Sequence, residues 1–350
     1  MPSLHIGAPS AALACHRHCT TVRAAQSGLH QTSSMASLVW AGHDRARFGP
    51  LNPSLLWIPA TLIAALTQTA RNAMQRNLTG ALGTVGATQV RFLYGLPFAL
   101  VFLAGVLLVG GESLPAVDAW SLAFTLGGAV TQILATALML LTMKERSFSV
   151  TIALIKLEPV LVTVAGILVL RDIPAPLAGL GIIVATIGVV LLSLKPGTAA
   201  GWISGRPIAL GILAAGLFAL SAIGFRGAII HLPTGSFVIR ATTILVISLF
   251  LQTTILIGWM TLFNRPALAA SLRAWRPSLL AGLTGALASQ FWFIGFSLTS
   301  AANVRTLALV EVLFAQAVSH RLLAQATSRR DLAGIVLIVA GVGLLLANTA

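Results

Sequence analysis

From Leu55 to the C-terminus, long apolar runs alternate with short polar breaks. The runs fall near 54–74, 86–109, 119–142, 147–170, 174–194, 207–230, 236–260, 277–298, 303–320 and 332–348. At about 1.5 Å of rise per residue, helices of this length cross a hydrocarbon core about 30 Å thick. The runs are solidly apolar instead of alternating, so they predict helices and not the strands of a barrel. Breaks such as Gly111-Glu112-Ser113-Leu114-Pro115 and Asn264-Arg265-Pro266 carry turn chemistry. The expected fold is an all-α integral membrane protein with ten transmembrane helices.

The body also repeats itself. Leu177-Ala178-Gly179, Gly188 and Leu191 recur 155 residues later as Leu332-Ala333-Gly334, Gly343 and Leu346. Gly127 with Thr131-Gln132 finds Gly285 with Ser289-Gln290, and Ser149, Leu154 and Glu158 fall opposite Ala302, Leu307 and Glu311. The Gln and Glu matches carry the argument, because Leu and Ala matches arise by chance in so apolar a chain. The expected organisation is a tail over 1–50, a five-helix unit over 51–195 and a second over 206–350. Five is an odd number of spans, so the second unit enters the membrane from the opposite side and the repeat is inverted. Such a repeat places a site between two halves that can rock against each other.

Composition sharpens this picture. Of 350 residues, 57% are hydrophobic and 9% charged, against roughly 25% charged in a soluble domain. The formal net charge of +14 comes from 22 Lys and Arg against 8 Asp and Glu. The basic residues are dispersed between apolar runs, which serves orientation in a membrane and argues against nucleic acid as a partner. Breaks after odd-numbered spans hold eleven of them, from Arg76 to Arg330; the other side holds Arg45, Arg47 and Arg171, with Arg305 just inside span nine. By the positive-inside rule the odd breaks face the cytoplasm and both termini lie outside.

Residues 1–50 stand apart, rich in Ser, Thr, Ala and His and without an acid before Asp44. They read as a disordered tail, a transit peptide or an over-extended gene start with Met35 as the real initiator. Both cysteines, Cys15 and Cys19, fall there, which leaves the helical body without a disulfide framework. Cys15-His16-Arg17-His18-Cys19 has ligand residue types packed too tightly for a standard zinc site. No metal and no cofactor is expected. Gly-x-Ser-x-Gly, His-Glu-x-x-His and a phosphate-binding Gly-rich loop with Lys are absent, so no enzyme is expected either.

Charges inside spans are costly, which makes each a functional candidate. The deepest are Lys156, Glu158 and Glu311. A carboxylate at that depth is either a proton-coupling site or half of a structural ion pair, for instance with Arg91 or Arg240. Lys156 and Glu158 are two positions apart, about 200° around a helix, so they face different ways. Pro159 frees a carbonyl one turn back and is expected to kink span four. Arg71, Arg91, Arg226 and Arg240 lie near enough to span ends to snorkel to headgroups; if several turn inward instead, the cavity is positive and favours anions. Gln132 and Gln290, with Gln68, Gln89, Tyr94 and Trp292, suit either a pocket that hydrogen-bonds a solute or interhelical bonds. Gly127, Gly181, Gly188, Gly285, Gly334, Gly341 and Gly343 would let helices pack closely.

Four features occur in order along the chain: Arg91-Phe92 in span two, Leu157-Glu158-Pro159-Val160 in span four, Leu-Ala-Gly with Ala-x-x-Gly in spans five and ten, and the span-nine run Leu307-Ala308-Leu309-Val310-Glu311-Val312-Leu313-Phe314. Together they resemble the ten-helix, EamA-type branch of the drug/metabolite transporter superfamily, over about 54–348. The resemblance implies a permease of the inner or plasma membrane, commonly an exporter of metabolites or drugs driven by ion or solute gradients. It also implies cytoplasmic termini, opposite to the charge count. Two departures stand out: Arg171-Asp172 replaces the usual Gly-Glu after span four, and Glu311-Val312 stands where the first half has Glu158-Pro159.

The resulting expectation is a secondary transporter that moves a small metabolite or drug-like solute by alternating access, outward. Glu158, Glu311, Lys156, Arg91, Arg240, Gln132 and Gln290 are the candidate substrate-binding or coupling residues. The expected partners are the solute, membrane lipids and coupling protons. A lipid-translocating protein and a non-transporting scaffold or receptor are the alternatives.

Overall fold

The computed structural model describes residues 55–145, 151, 154–193, 205–313 and 329–347. The tail with Cys15, Cys19 and Met35 lies outside the described residues, as do Ser149, Lys195 and the far end of span nine. Every regular element among the described residues is a helix. In hydrocarbon each backbone N–H and C=O must be satisfied by the chain itself, and a helix does this within one segment.

The first two spans differ from the pattern read in the sequence. Helix α1 covers Trp57–Leu93 and is interrupted only at Gly83, whose φ of 68° lies in the region glycine favours. Across that turn Gln75 Nε2 donates to the Ala87 carbonyl at 3.0 Å, so the chain doubles back there. Span one therefore runs on past residue 74, through a stretch that is polar in composition and helical in conformation. Tyr94 and Gly95 then separate α1 from α2 (Leu96–Gly110).

The next helices are α3 (Ala119–Glu145), α4 (Glu158–Leu170) and α5 (Pro176–Ser193). The second half holds α6 (Gly205–His231), α7 (Phe237–Phe263), α8 (Arg265–Arg273), α9 (Trp275–Leu298), α10 (Ala301–Leu307) and α11 (Arg329–Ala347). The expected break at Asn264-Arg265-Pro266 is instead the start of α8. The Asn264 side chain accepts from Ala267 N, and Pro266 sits in the first turn, where its missing N–H costs nothing.

Among the described residues six helices are long and apolar enough to cross a membrane, and two shorter ones are apolar, Glu158–Leu170 and Pro176–Leu192. The chain is a multi-pass membrane protein. Leu108, Val109, Leu168 and Leu262 point outward with most of their surface exposed, as lipid-facing side chains do. The interior gathers Trp57, Phe92, Phe225, Phe293 and Phe296 around a polar centre.

Helix α3 packs on α6, α1 on α9, α2 on α7, α4 on α10 and α5 on α11. Each of these contacts joins an element before residue 195 to one after residue 204. The α5–α11 contact is a close seam between backbones. A Cβ on Gly181 would stand 2.5 Å from the Gly341 carbonyl, and one on Gly188 would stand 2.8 Å from the Gly334 carbonyl. Four of the seven glycines read as packing residues thus hold the two backbones together; Gly127 and Gly343 face open space instead.

Candidate functional site

Spans four and nine are both interrupted next to their carboxylates. In span four, Lys156 and Leu157 leave the helix and α4 restarts at Glu158, with Pro159 in its first turn. In span nine, α10 ends at Leu307, Ala308 and Leu309 form a turn, and residues 310–313 are helical again. Pro159 accounts for the first break. The second has no proline; Leu309 N, Glu311 N and Val312 N donate to carbonyls three residues back, which carries the chain through a tightened turn.

The two breaks meet. Lys156 Nζ pairs with Glu311 Oε1, and Thr69 Oγ1 donates to Glu311 Oε2 at 3.2 Å. Glu158 Oε1 stands 3.0 Å from Arg305 Nε, close enough to pair charges though off the hydrogen-bond line. Each carboxylate is therefore matched by a cation from the other interrupted span. The Arg305 guanidinium also lies over the Trp292 ring, 4.1 Å from its centroid. Trp292 Nε1 in turn donates to Gln68 Oε1 at 2.9 Å.

Beside these pairs lie Arg71 and Arg91, 1% and 3% exposed. Both stems rest against Gly285 of α9, where an added Cβ would stand 3.4 Å from Arg71 Cδ and from Arg91 Cγ. Arg71 Nη2 donates to Asn72 Oδ1 at 2.7 Å, while its Nε and Nη1 have no hydrogen-bond partner. Arg91 Nη1 donates to Thr136 Oγ1 at 3.0 Å. Arg71 is twelve residues from the Gly83 turn, about 18 Å along a helix. That distance, with its burial, overturns the snorkelling reading for Arg71, and burial does the same for Arg91.

Lys156, Glu158, Glu311, Arg91 and Gln132 line one cavity with Arg71, Arg305 and an aromatic wall that includes Phe225 and Phe293. The cavity offers about 40 Å³ to the centres of water molecules, room for about three waters. Gln132 accepts from Gln252 Nε2 at 2.8 Å. The other candidates lie elsewhere. Gln290 donates to Thr242 Oγ1 at 2.8 Å and is buried between α9 and α7. Arg240 is partly buried near the start of α7, and Tyr94 Oη donates to the Ser271 carbonyl of α8. Gln89 is fully buried off the cavity.

Of the nine charged or amide groups on this cavity, sequence reasoning misplaces two, Arg305 and Arg71. Arg305 lies just inside the start of the span-nine run, and Arg71 lies near the end of the span-one run. Their proximity to a run boundary hid both; the break at Ala308–Leu309 and the length of α1 put them inside.

One end of the molecule is tied by a second group. Arg171 adopts φ of 55° as the C-cap of α4, a left-handed position usually filled by glycine. The turn delivers Asp172 to Arg226, with Nε–Oδ2 at 2.5 Å, and Arg226 Nη1 also donates to the carbonyls of Phe296 and Thr299. Asp172 thus bears the carboxylate after span four, and Arg226 is paired there instead of reaching headgroups. Between α2 and α3, Glu112 accepts from Ser236 N at 2.7 Å and from Ser236 Oγ at 2.6 Å. These two bonds hold the Glu112 carboxyl below its ordinary range.

Residues 55–194 match the model of the EamA-like transporter family, part of the drug/metabolite transporter superfamily. The likeness read from the motifs therefore holds for that stretch. No curated protein matches the chain. A solved structure titled "Crystal structure of protein" aligns with a TM-score of 0.58 at 15% identity, covering 85% of this chain and 96% of that one. At that identity the likeness is one of fold alone.

Proposed function

We propose that this chain is a secondary carrier that moves a small solute across the inner or plasma membrane by alternating access, in the outward direction. Its ten spans form two five-helix halves of opposite orientation, with the substrate site between them. The observation that carries this reading is the meeting of two interrupted helices at a small buried cavity, each interruption flanked by a carboxylate paired across to the other half. Interrupted spans at mid-membrane are a recurrent way to expose polar groups to a solute without exposing backbone to lipid.

The packing supports the two-fold relation. Span one lies on span eight and span six on span three, the same contact with the halves exchanged. Spans two and seven, four and nine, and five and ten pair with their own counterparts. Gly181 meets Gly341 and Gly188 meets Gly334, a reciprocal pattern in which Gly334 and Gly341 are Gly181 and Gly188 shifted by 153 residues. Glu311 is Glu158 shifted by the same number.

A cavity with room for about three waters fits a closed conformation better than an open one. The Arg226–Asp172–Thr299 and Glu112–Ser236 ties both join the halves through breaks after even-numbered spans. They would form the closed gate on that side.

Counterflow uptake in proteoliposomes of purified protein tests the reading. Accumulation of a labelled solute against its unlabelled pool is expected. Silence across amino acids, nucleotides, organic anions and hydrophobic cations, from correctly inserted protein, would turn the assignment toward a lipid-handling or scaffold role.

A further inference from the structure

We infer that the cavity binds an organic anion, its oxyanion head held between Arg71 and Arg91 and its apolar body against Phe225 and Phe293. The inference rests on the carrier reading for the movement of that anion, but not for its binding.

The argument is one of charge balance. Four cations line the cavity, Arg71, Arg91, Lys156 and Arg305, and each is at least nine-tenths buried. Two carboxylates face them, and both are taken: Glu158 by Arg305 and Glu311 by Lys156. The other acids of the body lie elsewhere along the described chain. Glu112 is held by Ser236, Asp118 caps the start of α3 at Ser121, and Asp172 is held by Arg226. Glu145 and Asp331 lie at the end of α3 and the start of α11. Among the described residues Arg71 and Arg91 are thus left with amide and hydroxyl partners alone, and the cavity carries two cations in excess.

An unpaired buried cation is among the most costly groups a protein can hold, and it persists where a function requires it. Two arginine stems resting on one glycine offer a pair of guanidinium groups to an oxyanion, and Arg71 already has two nitrogens, Nε and Nη1, without an acceptor. A bare inorganic ion would use only that polar edge. The aromatic rings on the same cavity supply an apolar surface for a carbon body, which becomes accessible when the cavity widens.

The test is thermal stabilisation of the purified full chain by matched probes: hexanoate and benzoate, hexanamide and benzamide, hexylamine and benzylamine. Each set keeps the body and changes only the head. The carboxylates are expected to raise the melting temperature in a saturable way, and the amides and amines are not. Arg71→Gln is expected to weaken carboxylate binding about tenfold or more while melting no lower than wild type without ligand, because it removes an unpaired charge. Arg91→Gln serves as the second variant.

Counterflow of the same probes separates the two readings. Carboxylates that bind without exchange would uphold the anion site and overturn the carrier. Amines or amides that bind and exchange while carboxylates do neither would overturn the anion site and leave the carrier standing. Loss of folded protein in both variants, with carboxylates inert toward wild type, would make the arginines structural and end the inference.

Discussion

Lys156 and Glu311, 155 residues apart in the chain, form an ion pair inside the cavity. Glu158, two residues beyond Lys156, turns the other way to Arg305. The interruption at Lys156–Leu157 lets neighbours in sequence serve different partners, and the result is a crossed brace between spans four and nine. Both pairs are enclosed, so their worth lies in matching charges that would otherwise be stranded.

That brace predicts strong non-additivity. Lys156→Met or Glu311→Leu alone leaves a charge without its partner and should cost about 3–5 kcal/mol. The double variant Lys156→Met with Glu311→Leu should recover most of that loss. Thermal unfolding in detergent of the four proteins completes the cycle. Additive losses would mean the two side chains do not depend on each other.

The carboxylates also carry a functional prediction. If Glu158 and Glu311 bind the coupling ion, Glu158→Gln and Glu311→Gln should abolish gradient-driven uptake per molecule of folded, inserted protein. Counterflow needs no coupling and should survive in at least one of them. Wild-type uptake in both variants would remove the carboxylates from coupling and leave them as a structural brace.

The outline of the fold was legible because hydrocarbon forces nearly every span to be a long apolar run. Helices α3, α5, α6, α7, α9 and α11 fall within a few residues of the runs read from the sequence. The end of span one was not legible. Residues 75–77 are polar, yet the helix continues to Gly83, because side-chain polarity does not stop a helix once its backbone bonds are satisfied. Part of the site was lost with that boundary. Glu158, Glu311 and Lys156 stood out as charges deep in apolar runs, whereas Arg71 and Arg305 sat near run ends and looked able to reach water. Which carboxylate each cation would take depended on backbone breaks, one of which has no proline to mark it.

Glu112 gives a pH prediction outside the membrane. Its carboxyl is held below the usual range by the Ser236 hydroxyl and amide. A carboxylate with a folded pKa below its unfolded value contributes stability that is complete above the unfolded pKa and is lost as pH falls through the folded one. The Glu112–Ser236 tie should therefore be unchanged from neutral pH down to about 4.3, the ordinary glutamate value, and open only below it. Hydrogen exchange of the segment around Ser236, corrected for intrinsic rates, reads this directly. Glu112→Gln should expose the segment at every pH; protection that fades already near neutrality would contradict the assignment.

The last prediction concerns the register of the repeat. By sequence, Leu177-Ala178-Gly179 aligns with Leu332-Ala333-Gly334 at a shift of 155, which pairs Gly188 with Gly343. In the α5–α11 seam Gly181 meets Gly341 and Gly188 meets Gly334, a reciprocal contact that makes Gly341 the counterpart of Gly188 and Gly334 that of Gly181, at a shift of 153. The two registers make opposite statements about Gly341 and Gly343. A Cβ at Gly341 would stand 2.4 Å from Ala185 N, and backbone cannot yield as a flexible side chain can; one at Gly343 would meet nothing within 4 Å. Gly341→Ala should therefore destabilise the protein by about 1–3 kcal/mol through overpacking. Gly343→Ala should be neutral or gain up to about 1 kcal/mol from helix propensity. Melting temperatures of the two variants decide the matter, since equal losses would favour the sequence register and opposite signs the register seen in the α5–α11 seam.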